Sequence, residues 1–197
     1  MEQNIAPFRR IRAKVVQTVA QKTSLIGLRI PRDYFVTSGK GESDITIHAG
    51  SYHLALKDAG IERYNIMTYS SIMSEIATEV QRPTGQVHGA VLETISAAAN
   101  AEKGQRATAG IIYGWLREKS TGKRRGGLVC EYHGEKTAED AEAELRMSLN
   151  ELYTNGFDGD YDLVDERVTM ESIVPSKKFG TALVAICFLN HVVPVIG

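Results

Sequence analysis

The sequence predicts an α+β fold with largely antiparallel sheets. Segments with the residue pattern of β-strands outnumber helical segments, and the short connection Lys119–Lys123 between two of them is typical of a hairpin turn. One segment, residues 137–153, has the pattern of an amphipathic helix. Hairpin connections favour antiparallel pairing, so a single α+β domain is expected.

The first half of the chain contains two predicted strands and one predicted helix. Residues 33–37 are expected to form a short strand, and the glycine-rich residues 38–43 a turn. A helix is predicted over residues 50–59, and Gly60 stands where a helix C-terminus favours glycine. Its apolar positions recur at i, i+3, i+4 and i+7, namely Tyr52, Ala55, Leu56 and Ala59. Residues 63–69 then alternate as a strand does.

The second half is richer in strands and contains the clearest helix. Thr137 can cap this helix, acidic residues follow in its first turn, and Asn155-Gly156 ends it. Leu145, Leu149 and Leu152 share one face, as in an amphipathic helix. The predicted strands are residues 88–94, 107–115, 126–132, 162–174 and 180–189.

Composition limits the classes of function. The chain has 197 residues, 43% of them hydrophobic and 24% charged, which is typical of one globular domain. The formal net charge of -1 argues against nucleic acid or an anionic membrane as a partner. No His/Cys cluster has zinc-binding spacing, so no metal site is expected.

Two features concern the cellular location. Cys130 and Cys187 both lie in apolar runs, which favours free thiols in a reducing compartment over a disulfide. No apolar stretch reaches the ~20 residues of a membrane-spanning helix, and residues 1–22 lack the apolar core and cleavage site of a signal peptide. We therefore expect a cytoplasmic protein in which residues 1–31 form an N-terminal extension.

The serine pair Ser70-Ser71 follows the predicted strand of residues 63–69. Two serines after a strand are by themselves most simply explained as part of a turn. Their importance depends on several other segments of the chain. These are Gly39–Asp44, Ala59–Asn65, Tyr69–Met73, His88–Glu93, Gly126–Tyr132 and Lys177–Leu183.

Taken together and in this order, these segments resemble the pyruvoyl-dependent arginine decarboxylase family, with some closest to its bacterial, chlamydial-type members. The resemblance spans residues 33–190 and implies a catalytic domain over residues 32–197. It also implies a four-layer αββα sandwich and a homotrimer, often paired into a hexamer, with active sites at the subunit interfaces.

The resemblance implies that the chain makes its own cofactor. Ser71 attacks the carbonyl of Ser70, and the backbone breaks between them into a β chain, residues 1–70, and an α chain. The α chain begins with a covalently bound pyruvoyl group derived from Ser71. That group forms a Schiff base with the substrate amine and acts as the electron sink that side chains cannot provide. The implied reaction converts L-arginine to agmatine and carbon dioxide.

Two further residues match functional positions of the family. Glu131 matches the proton donor that acts after decarboxylation, and its mostly apolar neighbours predict a carboxyl pKa raised by desolvation. A Glu131→Gln enzyme is therefore expected to mature but turn over poorly. Asn65 matches a residue near the cleavage site, where it is expected to hydrogen-bond the Ser70 carbonyl as Ser71 attacks.

Substrate binding and processing each show a departure from the family. His53 stands where relatives place an aspartate that receives the substrate guanidinium, and a histidine does not offer two carboxylate oxygens. Asp44, Glu42 or Asp58 can compensate, or the substrate is a different amino acid. Ser74 stands where relatives often have proline, which leaves a second alternative, an unprocessed homologue that serves as an assembly subunit.

Overall fold

The computed structural model describes residues 27–195, which form an α+β fold with mostly antiparallel sheets, as predicted. The strands are β1 Ile30–Pro31, β2 Asp33–Ser43, β3 Asn65–Thr68, β4 Ile72–Met73, β5 Thr78–Glu79, β6 Val91–Glu102, β7 Ala107–Glu118, β8 Arg124–Gly134, β9 Tyr161–Ile173, β10 Phe179–Phe188 and β11 His191–Val192. Helix α1 His53–Asp58 continues a π-helical segment, Ile47–Tyr52, and helix α2 spans Ala138–Thr154.

The strands form two main sheets. Sheet one has the order β3-β6-β10-β2-β5, and its three long central strands pair antiparallel, while β3 and β5 add to the edges in parallel. Sheet two has the order β4-β8-β7-β9 and is antiparallel throughout. The chain passes from sheet one to sheet two between β3 and β4, so the intervening loop, Tyr69–Ser71, connects the two sheets.

The two ends of the described chain pair with each other. Strand β1 runs antiparallel to β11, with Pro31 opposite His191. The amide of Gly27 donates to the carbonyl of Pro194 at 2.6 Å, and the amide of Arg32 to Asn190 at 3.0 Å. The two ends are thereby fixed to each other.

Three apolar clusters explain why these strands and helices form. The inner faces of the two sheets share one cluster, to which β6 contributes the alternating Ala97, Ala99 and Ala101. The outer face of sheet one packs against α1 through Leu56. The outer face of sheet two packs against Leu145 and Leu149 of α2. Since successive side chains of a strand point to opposite faces, the long central strands are buried on both sides.

Both predicted helices are confirmed, with small changes at their ends. Helix α2 begins after Thr137, whose hydroxyl accepts a hydrogen bond from the Asp140 amide at 3.2 Å. The helical region starts earlier than predicted because a π-helical segment precedes α1. Helix α1 ends at Asp58, and Gly60, whose φ is +71°, follows its C-cap residue Ala59. The hairpin between β7 and β8 is confirmed as well.

The predicted turn over residues 38–43 is wrong. These residues continue β2, and Gly39 and Gly41 lie under helix α1. A Cβ on Gly39 would come within 2.5 Å of the Ala59 amide nitrogen. The glycines therefore allow close approach of a helix rather than chain reversal. Strand β6 also starts later than predicted, at Val91, and continues to Glu102.

Both cysteines are unpaired, as predicted. Burial raises the pKa of the Cys130 thiol to about 11 and that of Cys187 to about 12. Within residues 27–195, no helix is both long enough and apolar enough to cross a membrane.

Candidate functional site

Ser70 and Ser71 lie in the loop that connects the two sheets. The amide of Tyr69 donates to the Thr94 carbonyl in sheet one at 2.6 Å. On the other side, the Val129 amide in sheet two donates to the Ser71 carbonyl at 3.0 Å. The bond between Ser70 and Ser71 is therefore held between two fixed points.

The structure brings Ser71 and Glu131 together although 60 residues separate them. The Ser71 hydroxyl lies 3.0 Å and 2.9 Å from the two carboxylate oxygens of Glu131 and donates to them. Glu131 follows Val129 by two residues on β8, and Val129 belongs to the cluster between the sheets. Alternation therefore directs Glu131 toward sheet one, where it is half-buried. This burial raises the pKa of its carboxyl, an effect that the Ser71 hydrogen bond opposes.

The carbonyl of Ser70 has its own donor. The Ile72 amide donates to the Ser70 oxygen at 2.9 Å, which closes a three-residue turn with Ser71 at its centre. A hydrogen bond to this oxygen withdraws electron density from the carbonyl carbon and stabilises negative charge that develops there. The hydroxyl of Ser71 and the polarised carbonyl of Ser70 therefore lie in one turn, with the Glu131 carboxylate beside it. Attack on a backbone carbonyl requires this combination of nucleophile, base and electrophile.

Asn65 is placed at the other end of β3. Its Nδ2 donates to the Gly89 carbonyl at 2.8 Å, and it pairs with Val91. Five residues of extended chain separate it from Ser70, a span of roughly 16 Å. In the described chain, the amide of Ile72 and not that of Asn65 contacts the Ser70 carbonyl.

His53 and Asp44 lie toward the far end of sheet one from Ser71. Thr68 directly precedes the loop Tyr69–Ser71, called the serine loop below. Across sheet one, Thr68 on β3 is aligned with Phe35 near the start of β2, with β6 and β10 between them. Asp44 follows the last residue of β2, roughly 30 Å from Phe35 along the strand, and accepts a hydrogen bond from the Lys178 amide at 3.2 Å. His53 is exposed at the start of α1, which packs over Gly41, about 20 Å along the strand from Phe35. A single chain does not bring either residue to Ser71.

The two other carboxylates considered as compensation are engaged within the chain. Glu42 accepts hydrogen bonds from the amide and hydroxyl of Ser176 at 3.2 Å and 2.8 Å, which lower the pKa of its carboxyl. Asp58 accepts from the Lys40 amide at 3.0 Å. Both lie at the same end of sheet one as Asp44.

A cluster of polar residues lies beside the serine loop and does not stand out in the sequence. Glu93 is only 4% exposed, and its carboxylate lies 2.5 Å from Arg29 and 2.5 Å from His191. The Tyr69 hydroxyl lies 3.4 Å from the His191 ring nitrogen. Burial and the neighbouring Glu93 raise the pKa of Tyr69 to about 12. The sequence does contain one indication of this cluster, which is a carboxylate, Glu93, close to Leu92 and Ile95 in a strand rich in buried residues.

A cavity of about 440 Å³ opens next to Ser70. Its walls come from the N-terminal segment and the serine loop, and the residues are Leu28, Arg29, Pro31, Tyr69, Ser70 and Ile72. Ser74, the second departure from the family pattern, donates its hydroxyl to the Pro31 carbonyl and so ties these two segments together. In the described part of the chain, no three His, Cys, Asp or Glu residues are arranged to hold a metal ion.

Similarity to known proteins agrees with this geometry. A family model for pyruvoyl-dependent arginine decarboxylase matches residues 33–193. Pyruvoyl-dependent arginine decarboxylase AaxB of Chlamydia muridarum is 31% identical over 188 residues, which cover 83% of this chain and 93% of the relative. Pyruvoyl-dependent arginine decarboxylase 1 of Archaeoglobus fulgidus is 30% identical over 133 residues, covering 66% and 81%. The chain belongs to the pyruvoyl-dependent arginine decarboxylase family.

Proposed function

We propose that the chain is a self-processing decarboxylase that converts L-arginine to agmatine and carbon dioxide. The observation that carries the proposal is the hydrogen bond from the Ser71 hydroxyl to the Glu131 carboxylate, beside a Ser70 carbonyl that already accepts a hydrogen bond. The names of the relatives, pyruvoyl-dependent arginine decarboxylases, support arginine as the substrate. The two free cysteines fit a reducing compartment, and we place the activity in the cytoplasm.

Maturation begins with transfer of the Ser71 hydroxyl proton to Glu131. The Ser71 oxygen attacks the Ser70 carbonyl carbon, and the Ile72 amide stabilises the negative charge on the Ser70 oxygen. The amide C–N bond breaks, the nitrogen of residue 71 takes a proton, and an ester now joins the two residues. The turn geometry supports this step because the attacking and accepting groups belong to adjacent residues held at both ends.

The backbone then separates by elimination. Loss of the α-proton of residue 71 and cleavage of its Cβ–Oγ bond release Ser70 as a carboxylate that retains this oxygen. Water then replaces the nitrogen of residue 71, which leaves as ammonia, and a pyruvoyl group begins the α chain. When present, this group supplies the electron-withdrawing carbonyl that decarboxylation needs.

Glu131 is proposed to serve the mature enzyme as well. Its carboxyl stays beside residue 71, and burial raises its pKa, so it holds a proton at a higher pH than an exposed glutamate does. It is thereby suited to donate a proton at the carbon that loses carbon dioxide. The Asn65 amide donates to Gly89, roughly 16 Å of extended chain from Ser70, so its proposed role at the Ser70 carbonyl requires a second copy of the chain.

The proposed assembly is a homotrimer or hexamer of four-layer αββα subunits. The three apolar clusters support this layering, with α1 and α2 on the outer faces of the two sheets. His53 and Asp44 lie far from Ser71 within one chain, which supports an active site at a subunit interface. If these residues bind substrate, a second copy of the chain has to bring them to residue 71. Residues 32–197 are proposed as the catalytic domain.

Intact mass of the denatured protein, before and after treatment with a hydrazine, tests the proposal. We expect two fragments divided between Ser70 and Ser71, of which only the C-terminal one gains the mass of a hydrazone. Ser71→Ala is expected to give one unreactive full-length chain. If the natural sequence also gives one unreactive chain, self-processing is refuted. Carbon dioxide release from a panel of amino acids tests the substrate, and a clear preference for one other than arginine would contradict it.

A further inference from the structure

We propose that Arg29 is the cation that receives the carboxylate created at Ser70 when the chain cleaves itself. The inference rests on the proposed self-cleavage and adds a residue to it. It starts from the cavity beside Ser70, in which Arg29 and Ser70 share a wall.

The chemistry of cleavage creates a new negative charge at a defined place. In the elimination step, the electron pair of the broken Cβ–Oγ bond leaves with the oxygen, and Ser70 becomes a carboxylate with two equivalent oxygens. A leaving group that gains charge departs faster when a positive group is already in place. A guanidinium matches a carboxylate well because its parallel N–H groups meet both oxygens.

The cavity provides the space and the charge. Ser70 is exposed, and after cleavage its carboxylate is no longer bonded to residue 71. Among the described residues that line the cavity, Arg29 is the one with a positive side chain. The other side chains of the wall are apolar or uncharged, since the raised pKa of Tyr69 keeps its hydroxyl neutral. A carboxylate that turns into this cavity therefore meets one cation.

Buried Glu93 explains why Arg29 lies there. The Nη2 atom of Arg29 is 2.5 Å from the Glu93 carboxylate and 3.5 Å from the Tyr69 hydroxyl. In the described part of the chain, both of these contacts use Nη2, which leaves the Nε and Nη1 donors of the same planar group for a second carboxylate. The Arg29 side chain is still 55% exposed, so its outer edge is accessible. The His191 ring nitrogen lies 2.5 Å from the second carboxylate oxygen of Glu93, so Glu93 is held by Arg29 at one oxygen and by His191 at the other.

The test separates the two steps of maturation. Newly made wild-type, Arg29→Met, Arg29→Lys and Arg32→Met chains are sampled over time and quenched in acid. Hydroxylamine then splits any ester between Ser70 and Ser71, and intact mass counts amide, ester and pyruvoyl chains. Arg32→Met is the matched control because it removes a charge from the same segment, where Arg32 lies 3.6 Å from Asp33 and outside the cavity wall.

Arg29→Met is expected to accumulate the ester and to form the pyruvoyl chain roughly tenfold more slowly, the effect of one charge-assisted hydrogen bond. Arg29→Lys is expected to restore part of the rate, because it keeps the charge but not the two parallel N–H groups. Arg32→Met is expected to behave as wild type. Should Arg29→Met not fold, as judged by circular dichroism, Arg29→Gln replaces it with the same expectation.

Three results would overturn the inference. The first is pyruvoyl formation at the wild-type rate without Arg29. The second is slow cleavage with no ester, which would place any effect before elimination. The third is normal cleavage with a raised KM for arginine, which would assign Arg29 to the substrate carboxylate instead. An uncut wild-type chain would refute self-processing itself and is thereby distinguished from all three.

Discussion

Replacing Glu131 with glutamine tests the role of the carboxylate in maturation. Both oxygens of Glu131 accept the Ser71 hydroxyl, at 3.0 Å and 2.9 Å. Glutamine has nearly the same shape and still offers one oxygen, but it does not take up the proton. Loss of a positioned general base slows a reaction by about 10²–10⁴-fold. We expect the lower end, about 100-fold, because the hydroxyl stays in place and water can accept the proton.

This geometry revises the expectation from sequence that the Glu131→Gln chain matures normally. The variant is now expected to mature slowly, and the matured fraction to turn over poorly. The wild-type rate of cleavage should also depend on pH. Burial raises the pKa of Glu131, so the ionised form that acts as base appears at a higher pH than in an exposed glutamate. Cleavage should accelerate as pH rises through this pKa and then level off.

The same shift has a consequence for stability, which the uncleaved Ser71→Ala chain allows to be measured. Because the pKa of Glu131 is higher in the folded than in the unfolded chain, folding favours its neutral form. The stabilisation from neutral Glu131 is therefore complete below the pKa of the unfolded chain and is lost as pH rises through the pKa of the folded chain. Adding Glu131→Gln should remove this decline. Urea unfolding at a series of pH values measures both chains.

Cleavage is followed by the fraction of full-length chain on a denaturing gel after synthesis at several pH values. Exposed Glu151 on α2 provides the control, since Glu151→Gln removes the same charge far from the serine loop. If Glu131→Gln and Glu151→Gln cleave with half-times within twofold of wild type, Glu131 is not the base of maturation. A cleavage rate in wild type that does not change with pH would contradict the same reasoning.

The remaining predictions concern stability and are measured by urea unfolding of the uncleaved Ser71→Ala chain. Gly39→Ala should lower the free energy of unfolding by about 1–3 kcal/mol, because the added Cβ overlaps the backbone of α1. The control Gly85→Ala has open space around the added Cβ and should not destabilise the chain, so equal effects would refute the close approach. Leu149→Ala should lower the free energy of unfolding by about 2–5 kcal/mol, because Leu149 is buried. Met147 on the same helix is exposed, and Met147→Ala should lower it by less than about 0.5 kcal/mol. A similar loss for both variants would contradict the packing of α2. Thr137→Ala should cost about 1 kcal/mol through loss of the cap, and an unchanged midpoint would exclude it.

Local patterns were sufficient for several elements of the fold. Helix α2 was predictable because its cap, its acidic first turn and its leucine face all lie within 17 residues. The hairpin between β7 and β8 was predictable because turn residues separate two apolar runs. In both cases the determining interactions are between residues close in sequence.

Glycines and alanines were harder to interpret because their meaning depends on what packs against them. Gly39 and Gly41 have the pattern of a turn, yet they continue β2 because helix α1 requires their missing side chains. The later part of β6 escaped prediction because alanine has weak β-propensity, while its alanines fill the space between the two sheets.

The sequence by itself determined the family, the α+β class and the serine pair, since these follow from ordered segments and local periodicity. The tertiary structure decided which groups meet Ser71. It brings Glu131 to the serine hydroxyl from β8 of sheet two, and it leaves Asn65, His53 and Asp44 elsewhere. It also places Arg29 and buried Glu93 beside Ser70. The physical reason is that sheet register and the packing of distant strands, rather than spacing along the chain, set the distances between reactive groups.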